Sequence, residues 1–283
     1  MEQALFATFL RGASVDWALT ELASFQNEDG GFGHGLEPDL QLADSSILAT
    51  TVALQQLRDL GVAGYHPLVQ GAMRYIVDTY DSTAQAWPII PPQVDEAPHA
   101  PWWQYDPDMS KYLANPRAEI AGYLFDYAEL VPAELREDLL KAVLNYLEGN
   151  IGQMRMHELL CYVRLAETES LQLETRDSLL TGLQPIVADL VATDPTSWQA
   201  YGLKPLWVAS APSSPFADIL QKAIDDNLDF EVEQQGQDGS WAPNWSWGDA
   251  YPVAWLHARR AWQGILTVKV TRALSDYGRI DQA

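Results

Sequence analysis

The chain has 283 residues, 47% of them hydrophobic, which is enough for one large core. Its 39 acids against 17 Lys and Arg leave a formal net charge of −22, which excludes nucleic acid as a partner and favours a neutral or apolar small molecule. A single cysteine, Cys161, excludes an intrachain disulfide and a multi-thiolate metal site.

The N-terminal run MEQALFATFL has an acid at position 2 and no leading positive charges. No signal peptide is therefore expected, no transmembrane segment is present, and the expected location is cytoplasmic. Helical periodicity predicts a first helix over 2–24 and a long loop over 25–43. Asp44 or Ser45 caps a helix over 44–60, which stops at Gly61, and another follows over 66–80. A second long loop occupies 81–114. Asn115 then reads as a cap, Pro116 as the first helical residue and Glu119 as a first-turn acid. Ile120, Tyr123, Leu124, Tyr127 and Leu130 form one apolar face of a helix over 115–130. Pro132 opens the helix over 133–148, whose buried stripe is Leu135, Leu139, Val143 and Tyr146. Further helices are expected over 153–168, 172–192, 203–210, 215–233 and 251–277, the last broken near Gly264.

The connections alternate. Long, aromatic-rich loops at 25–43, 81–114, 193–202 and 234–250 each follow an odd-numbered helix of the ten, and the other joints are brief. In an up-and-down arrangement the four long loops then share one rim. The predicted fold is all-α, an (α/α) toroid of about ten to twelve helices in a single domain over 1–283.

Two loops are copies of one another. Gln26-Asn27-Glu28-Asp29-Gly30-Gly31-Phe32 matches Gln235-Gly236-Gln237-Asp238-Gly239-Ser240-Trp241, both of the form Q-x-x-D-G-[GS]-[FW]. The segments Thr79 to Trp87 and Asp194 to Trp198 are eroded relatives, and repeats at this scale imply stacked, similar units. Gln suits free backbone groups at a helix end, Asp accepts the N–H groups of the tight Gly turn, and the aromatic covers the joint, a scaffold role. The motif resembles the repeat of squalene and oxidosqualene cyclases and of protein prenyltransferase β-subunits, and the resemblance implies an α/α toroid. The chain departs from those enzymes in three ways. It has length for one toroid, it lacks a D-x-D-D acid motif, and Cys161 lies mid-helix, away from the glycine turns.

Three clusters carry candidate chemistry. In Trp102-Trp103-Gln104-Tyr105-Asp106-Pro107-Asp108, aromatic walls would raise a carboxyl pKa and hold a protonated acid for an alkene or a glycosidic oxygen. Asp106 is the first candidate acid and Asp108 the second, with Trp87, Trp102, Trp103 and Tyr105 lining the substrate; the same string also reads as a turn pinned by two tryptophans. His34 and Glu37, with Asp39 and Asp44, form the second cluster, in which His34 and Glu37 are candidate catalysts and Asp39 and Asp44 also suit turn and cap roles. No cofactor is expected: these oxygens and the imidazole could bind a divalent ion such as Mg2+, but their spacing matches no metal motif. The third cluster supplies Trp245, Trp247, Asp249 and Tyr251, with Trp255 behind, as substrate contacts or as packing at a closing seam; Asp249 also suits a helix cap. His157 and Cys161 share a helix face without a third ligand, so no metal site is expected and a core position is.

Three functions fit. The first is an isoprenoid-directed enzyme working by acid-initiated chemistry in an aromatic pocket. The second is a glycoside hydrolase or lyase that pairs two carboxylates. The third is a non-catalytic binding module.

Overall fold

The computed structural model describes residues 1–280, which contain eleven α-helices and no strand. In chain order they are α1 (Glu2–Arg11), α2 (Val15–Ala23), α3 (Ile47–Asp59), α4 (Pro67–Asp78), α5 (Arg117–Asp126), α6 (Ala133–Asn150), α7 (Met156–Ala166), α8 (Leu173–Leu190), α9 (Pro205–Val208), α10 (Ala217–Gln234) and α11 (Pro252–Asp276). None of these helices is long and apolar enough to cross a membrane.

Four local expectations are corrected. The helix predicted over 2–24 divides into two. Gly12 takes a left-handed φ of 63°, and Ser14 Oγ accepts from Asp16 N at 3.2 Å to start α2. The helix over 251–277 runs unbroken through Gly264. A Cβ there would lie 2.8 Å from Glu2 Cγ, so this glycine lets α1 approach rather than ending α11. The cap of α3 is Ser46, which accepts from Ala49 N at 3.0 Å, because Ser45 is committed to Asp29 Oδ1 at 2.7 Å. Pro116 occupies the cap position of α5, and Asn115 turns its side-chain oxygen to the Cys161 thiol at 3.5 Å.

Two compact units are resolved, one from Ala23 to Ile186 and one from Met1–Leu22 together with Val187 onward. In the 23–186 unit α5 packs against α3, α6 and α7. Every residue from Arg117 to Leu124 is buried, as a helix enclosed on all sides requires. Gly122 permits the close approach of α7, since a Cβ there would meet Thr168 Oγ1. By contrast α6 is amphipathic and buries Leu139, Val143 and Leu147.

Arg58 ties the ends of three helices in this unit. Its Nη1 donates to the Arg164 carbonyl at 3.1 Å, Nη2 to Thr168 Oγ1 at 3.2 Å, and Nε faces Asp126 Oδ2 at 3.3 Å. In the other unit α1 packs on α11 and α9 on α10. There the buried Glu231 takes Lys204 Nζ at 2.8 Å, with Asn227 beside it at 3.4 Å.

The two motif copies adopt one geometry. Gln26 Nε2 donates to the Gly30 carbonyl at 2.9 Å, and Gln235 Nε2 to that of Gly239 at 3.0 Å. Asp29 accepts from Gly31 N at 2.9 Å, and Asp238 from Ser240 N at 3.1 Å. The next aromatic is buried in each, with Phe32 N donating to Thr50 Oγ1 and Trp241 N to Thr267 Oγ1. The eroded copies keep half of this: Asp81 and Asp194 accept turn N–H groups, and Trp87 and Trp198 each donate an indole N–H to a carbonyl at the end of the preceding helix region, both at 2.7 Å. Scaffold chemistry accounts for all of these residues.

Candidate functional site

Within the 23–186 unit the loops before α3 and before α5 are joined along their backbones. Ala100 N donates to the Asp39 carbonyl at 2.8 Å, Gln41 N to that of Pro98 at 3.0 Å, and Leu48 N to that of Ile89 at 3.0 Å. Leu40, Leu42, Ile89, Ile90 and Val94 form a buried cluster between them, with Trp103 and Tyr112 packed against it. The long second loop is therefore anchored by its own apolar side chains, as compact functional loops are.

Glu37 lies buried in this loop pair, 7% exposed, with Asp39 and His99 also buried nearby in the chain's packing. Burial first, and the charge of Asp39 second, push the Glu37 carboxyl well above the usual range. The N–H groups of Asp39, Trp103 and Leu40 favour its charged form and only partly offset this. The indole N–H of Trp103 lies beside the carboxyl, yet neither Glu37 Oε2 nor Trp103 Nε1 completes a hydrogen bond of normal geometry. An unsatisfied buried polar group costs about 1–3 kcal/mol, so the carboxyl and the indole N–H both gain from lying beside each other.

Asp106 and Asp108 have the opposite character. Asp106 is paired with Lys111 and accepts from Asp108 N at 2.9 Å, which holds its pKa below the usual range. Asp108 accepts from the Ser110 hydroxyl at 2.6 Å and from Ser110 N at 3.1 Å, with the same result. Both stay ionised at neutral pH, so the raised pKa expected there is corrected: hydrogen bonds and an adjacent cation outweigh the nearby rings, and the carboxyls stand in solvent. Trp102 and Tyr105 are exposed beside them, while Trp103 turns inward to Glu37. Trp87 is fully buried against Tyr80, with ring centroids 4.9 Å apart, which makes it a staple of α4. His34 is exposed, in a left-handed turn with φ 54°, its Nε2 2.8 Å from Asn27 Oδ1.

The other predicted contacts lie in the second unit. Its two long loops also meet, through Asn244 Nδ2 donating to the Gln199 carbonyl at 3.2 Å. Trp245 stands between Tyr201 and Trp262, edge-on to both at 5.6 and 5.1 Å. Trp247 is buried against Trp255. Asp249 is exposed and caps nothing. The cap position of α11 belongs to Tyr251, in a left-handed conformation with no side-chain cap bond.

One constellation escaped the sequence reading. Gln55 and Arg58 on α3, Glu119, Tyr123 and Asp126 on α5, and Cys161 and Arg164 on α7 with Thr168 just past its end recur at three- and four-residue spacing and face one another. Arg164 Nη1 donates to Glu119 Oε2 at 2.6 Å, and Gln55 Nε2 reaches both Glu119 oxygens at 3.3 and 3.4 Å. The Tyr123 hydroxyl is buried among them without a hydrogen-bond partner. Burial, then Glu119, keeps the Cys161 thiol protonated. The signal was a polar stripe at helical period inside otherwise apolar helices, masked by the reading of these positions as ordinary surface or core.

Among the described residues no group of three or more His, Cys, Asp or Glu side chains is placed to hold a metal ion. His157 has its pKa lowered by burial and then by Arg164, so near neutral pH it is uncharged. Comparison with protein-family models, with curated proteins and with solved structures finds no match to this chain.

Proposed function

We propose that this chain is a divergent α/α-toroid enzyme acting on a neutral or apolar small molecule of isoprenoid type by acid-initiated chemistry, with Glu37 as the acid. The observation that carries the reading is the buried, pKa-raised Glu37 carboxyl against an indole. The all-helical architecture and the paired Q-x-x-D-G turns support the fold half of it. In this reading Glu37 gives its proton to the substrate, and the face of Trp103 steadies the cation that develops. The Glu37 carboxylate then regains a proton when the final cation loses one. Asp39 serves by raising the Glu37 pKa, so that the acid is loaded near neutral pH.

A carbohydrate reading has its own observation. Trp245, half buried between Tyr201 and Trp262, belongs to a loop pair of the kind that offers ring faces to sugars.

The test is a thermal-shift screen of purified protein and of Glu37→Gln with prenyl alcohols, prenyl diphosphates and neutral oligosaccharides. A ligand at about 100 times its Kd adds about 2.7 kcal/mol of stability. Isoprenoid binding in both proteins, with turnover lost only in Glu37→Gln, is the expected result. Stabilisation by sugars alone would sink the isoprenoid reading, and no stabilisation by either class would leave a non-catalytic module.

A further inference from the structure

The N-terminal half of α11 has two sides of unlike character. Trp255 and Trp262 pack against the loop tryptophans Trp247 and Trp245, at 5.7 and 5.1 Å, and Ala258, one turn from each, is buried as well. Val253, Leu256, Arg259 and Arg260 recur at three- and four-residue spacing on the opposite side. Val253 is 69% exposed and Leu256 60%. Both arginines are exposed, and neither lies within ion-pair distance of a carboxylate among the described residues. Arg58, Arg164, Lys204 and Arg279, by contrast, are each paired with one. Glu2, at the start of α1, reaches α11 at Gly264, and a notch of about 400 Å3 opens there, lined also by Gln3, His257, Arg260 and Ala261. The face is therefore recessed beside Arg260 and can receive a projecting side chain.

The complementary surface stands on α10, in the same unit. Its inward side buries Leu220, Ala223, Ile224 and Leu228. Outward, Ile219 is 51% exposed and Val232 52%, and Asp218, Asp225, Asp226 and Glu233 stand exposed around them, with Lys222 as the cation among them. All four aliphatic side chains keep half or more of their area in solvent, so the two helix faces do not cover each other within one chain.

We propose that the outward face of α11 docks on the outward face of α10 in a second copy of this chain. Arginines beside Val253 and Leu256 then meet carboxylates beside Ile219 and Val232, and the four aliphatic side chains leave water together. Isolated exposed apolar residues call for no partner, but here they recur on two helices among charges of opposite sign. An unrelated acidic protein would match α11 alone, whereas a second copy matches both faces. Two copies with a formal charge of −22 each repel at long range, but at physiological salt that repulsion is largely screened beyond about 8 Å, and contacts inside the interface are screened less. The two faces differ, so the contact is head-to-tail, and a pair leaves one face of each kind open for growth or ring closure.

The experiment is sedimentation velocity on the purified full chain at physiological salt, from low to several hundred micromolar. Wild type is expected to sediment faster as concentration rises. One variant carries Arg259→Glu with Arg260→Glu, and the other Asp226→Lys with Glu233→Lys. All four positions are solvent-exposed, and an unchanged far-ultraviolet helical signal checks that each variant is folded. Each variant alone is expected to stay monomeric. An equimolar mixture of the two still holds one intact face of each kind, and it is expected to form a dimer and stop there. Leu256→Ser, which leaves every charge in place, is expected to weaken association at least about tenfold, as loss of a central apolar anchor does. A wild type that is monomeric at every concentration would overturn the proposal. So would variants that associate as wild type does, a Leu256→Ser chain with undiminished association, or a mixture that stays monomeric.

Discussion

Glu37 holds its proton more tightly in the folded chain than in the unfolded one, and this couples its titration to stability. Unfolded, it titrates near 4.5; folded, burial and then Asp39 raise that value well above. Between the two values the native state carries the extra proton. The stabilisation is therefore full below the unfolded pKa and is lost as pH rises through the folded one, at about 1.36 kcal/mol for each unit of separation. Glu37→Gln, which cannot ionise, is expected to gain on wild type as pH climbs from 4.5 to 8, read from denaturant midpoints at stepped pH. Parallel curves for the two proteins would show that the carboxyl is not held neutral. Asp106→Asn is the control at this scale: its partner is a solvent-exposed lysine, so ligand affinity and any turnover should stay within about twofold of wild type. Both residues were visible in the sequence as candidate catalysts, Asp106 in a tryptophan-rich string and Glu37 in the cluster after the first glycine turn. Which acid was desolvated was not visible, because it depended on Trp103 turning inward across 66 residues of chain while Lys111 and Ser110 folded back on their own loop. Local side-chain bonds to turn backbone are common for Asp, and a long-range burial has no local signature.

At the scale of elements, the two copies of the glycine turn differ in one respect that a substitution can measure. Gly30 has φ 92° and Gly239 has φ 81°, so alanine at either is strained by about 1 kcal/mol. At Gly30 a Cβ would also overlap the Gly71 backbone of α4, whereas at Gly239 the nearest atom is Gln235 Nε2 at 4.0 Å. Gly30→Ala is expected to cost at least 2 kcal/mol more than Gly239→Ala, an order-of-magnitude figure for overpacking against fixed backbone. Equal losses in thermal unfolding would mean that α4 yields easily. Arg58 gives a second prediction: Arg58→Ala should cost about 3 kcal/mol, since it strips a cation from Asp126 and bonds from the end of α7. Arg58→Lys should recover only part, because one ammonium cannot span three helix ends. Most helices were legible because their apolar positions repeat at 3.6 residues. The division of α1 from α2 was hidden by a continuous apolar pattern across Gly12, and the continuity of α11 by a glycine whose role is contact with Glu2. The polar stripe through α3, α5 and α7 was missed since each helix shows only two or three such residues, and their significance lies in facing one another.

For the molecule as a whole, the excess of 22 negative charges acts on every compact state. Self-repulsion among exposed carboxylates is screened over about 10 Å at 0.1 M salt. The melting midpoint should therefore rise as NaCl goes from 10 to 200 mM, and an identical rise with KCl would mark it as screening rather than ion binding. A midpoint that falls would instead give the surface ion pairs, such as Arg279 with Asp229 at 2.6 Å, the larger share. The all-α class followed from the absence of any alternating pattern, but the division into two compact units had no counterpart in composition. The residues at its borders, Ala23 within α2 and Ile186 within α8, sit inside helices, where linker signals do not occur.

That division also fixes an order of events in time. The segment 23–186 is contiguous, so all of its internal partners are present once Ile186 has been made. The other unit joins the first 22 residues to a stretch that begins at Val187, and α1 finds its partner only when α11 has been made. From Arg11 to Pro252 is about 240 residues, or roughly 12 to 50 seconds of synthesis at about 5–20 residues per second. During that wait the apolar Ala-Leu-Phe-Ala-Thr-Phe-Leu run of α1 lacks its α11 partner, and it is the stretch of nascent chain on which a chaperone should be caught by timed cross-linking.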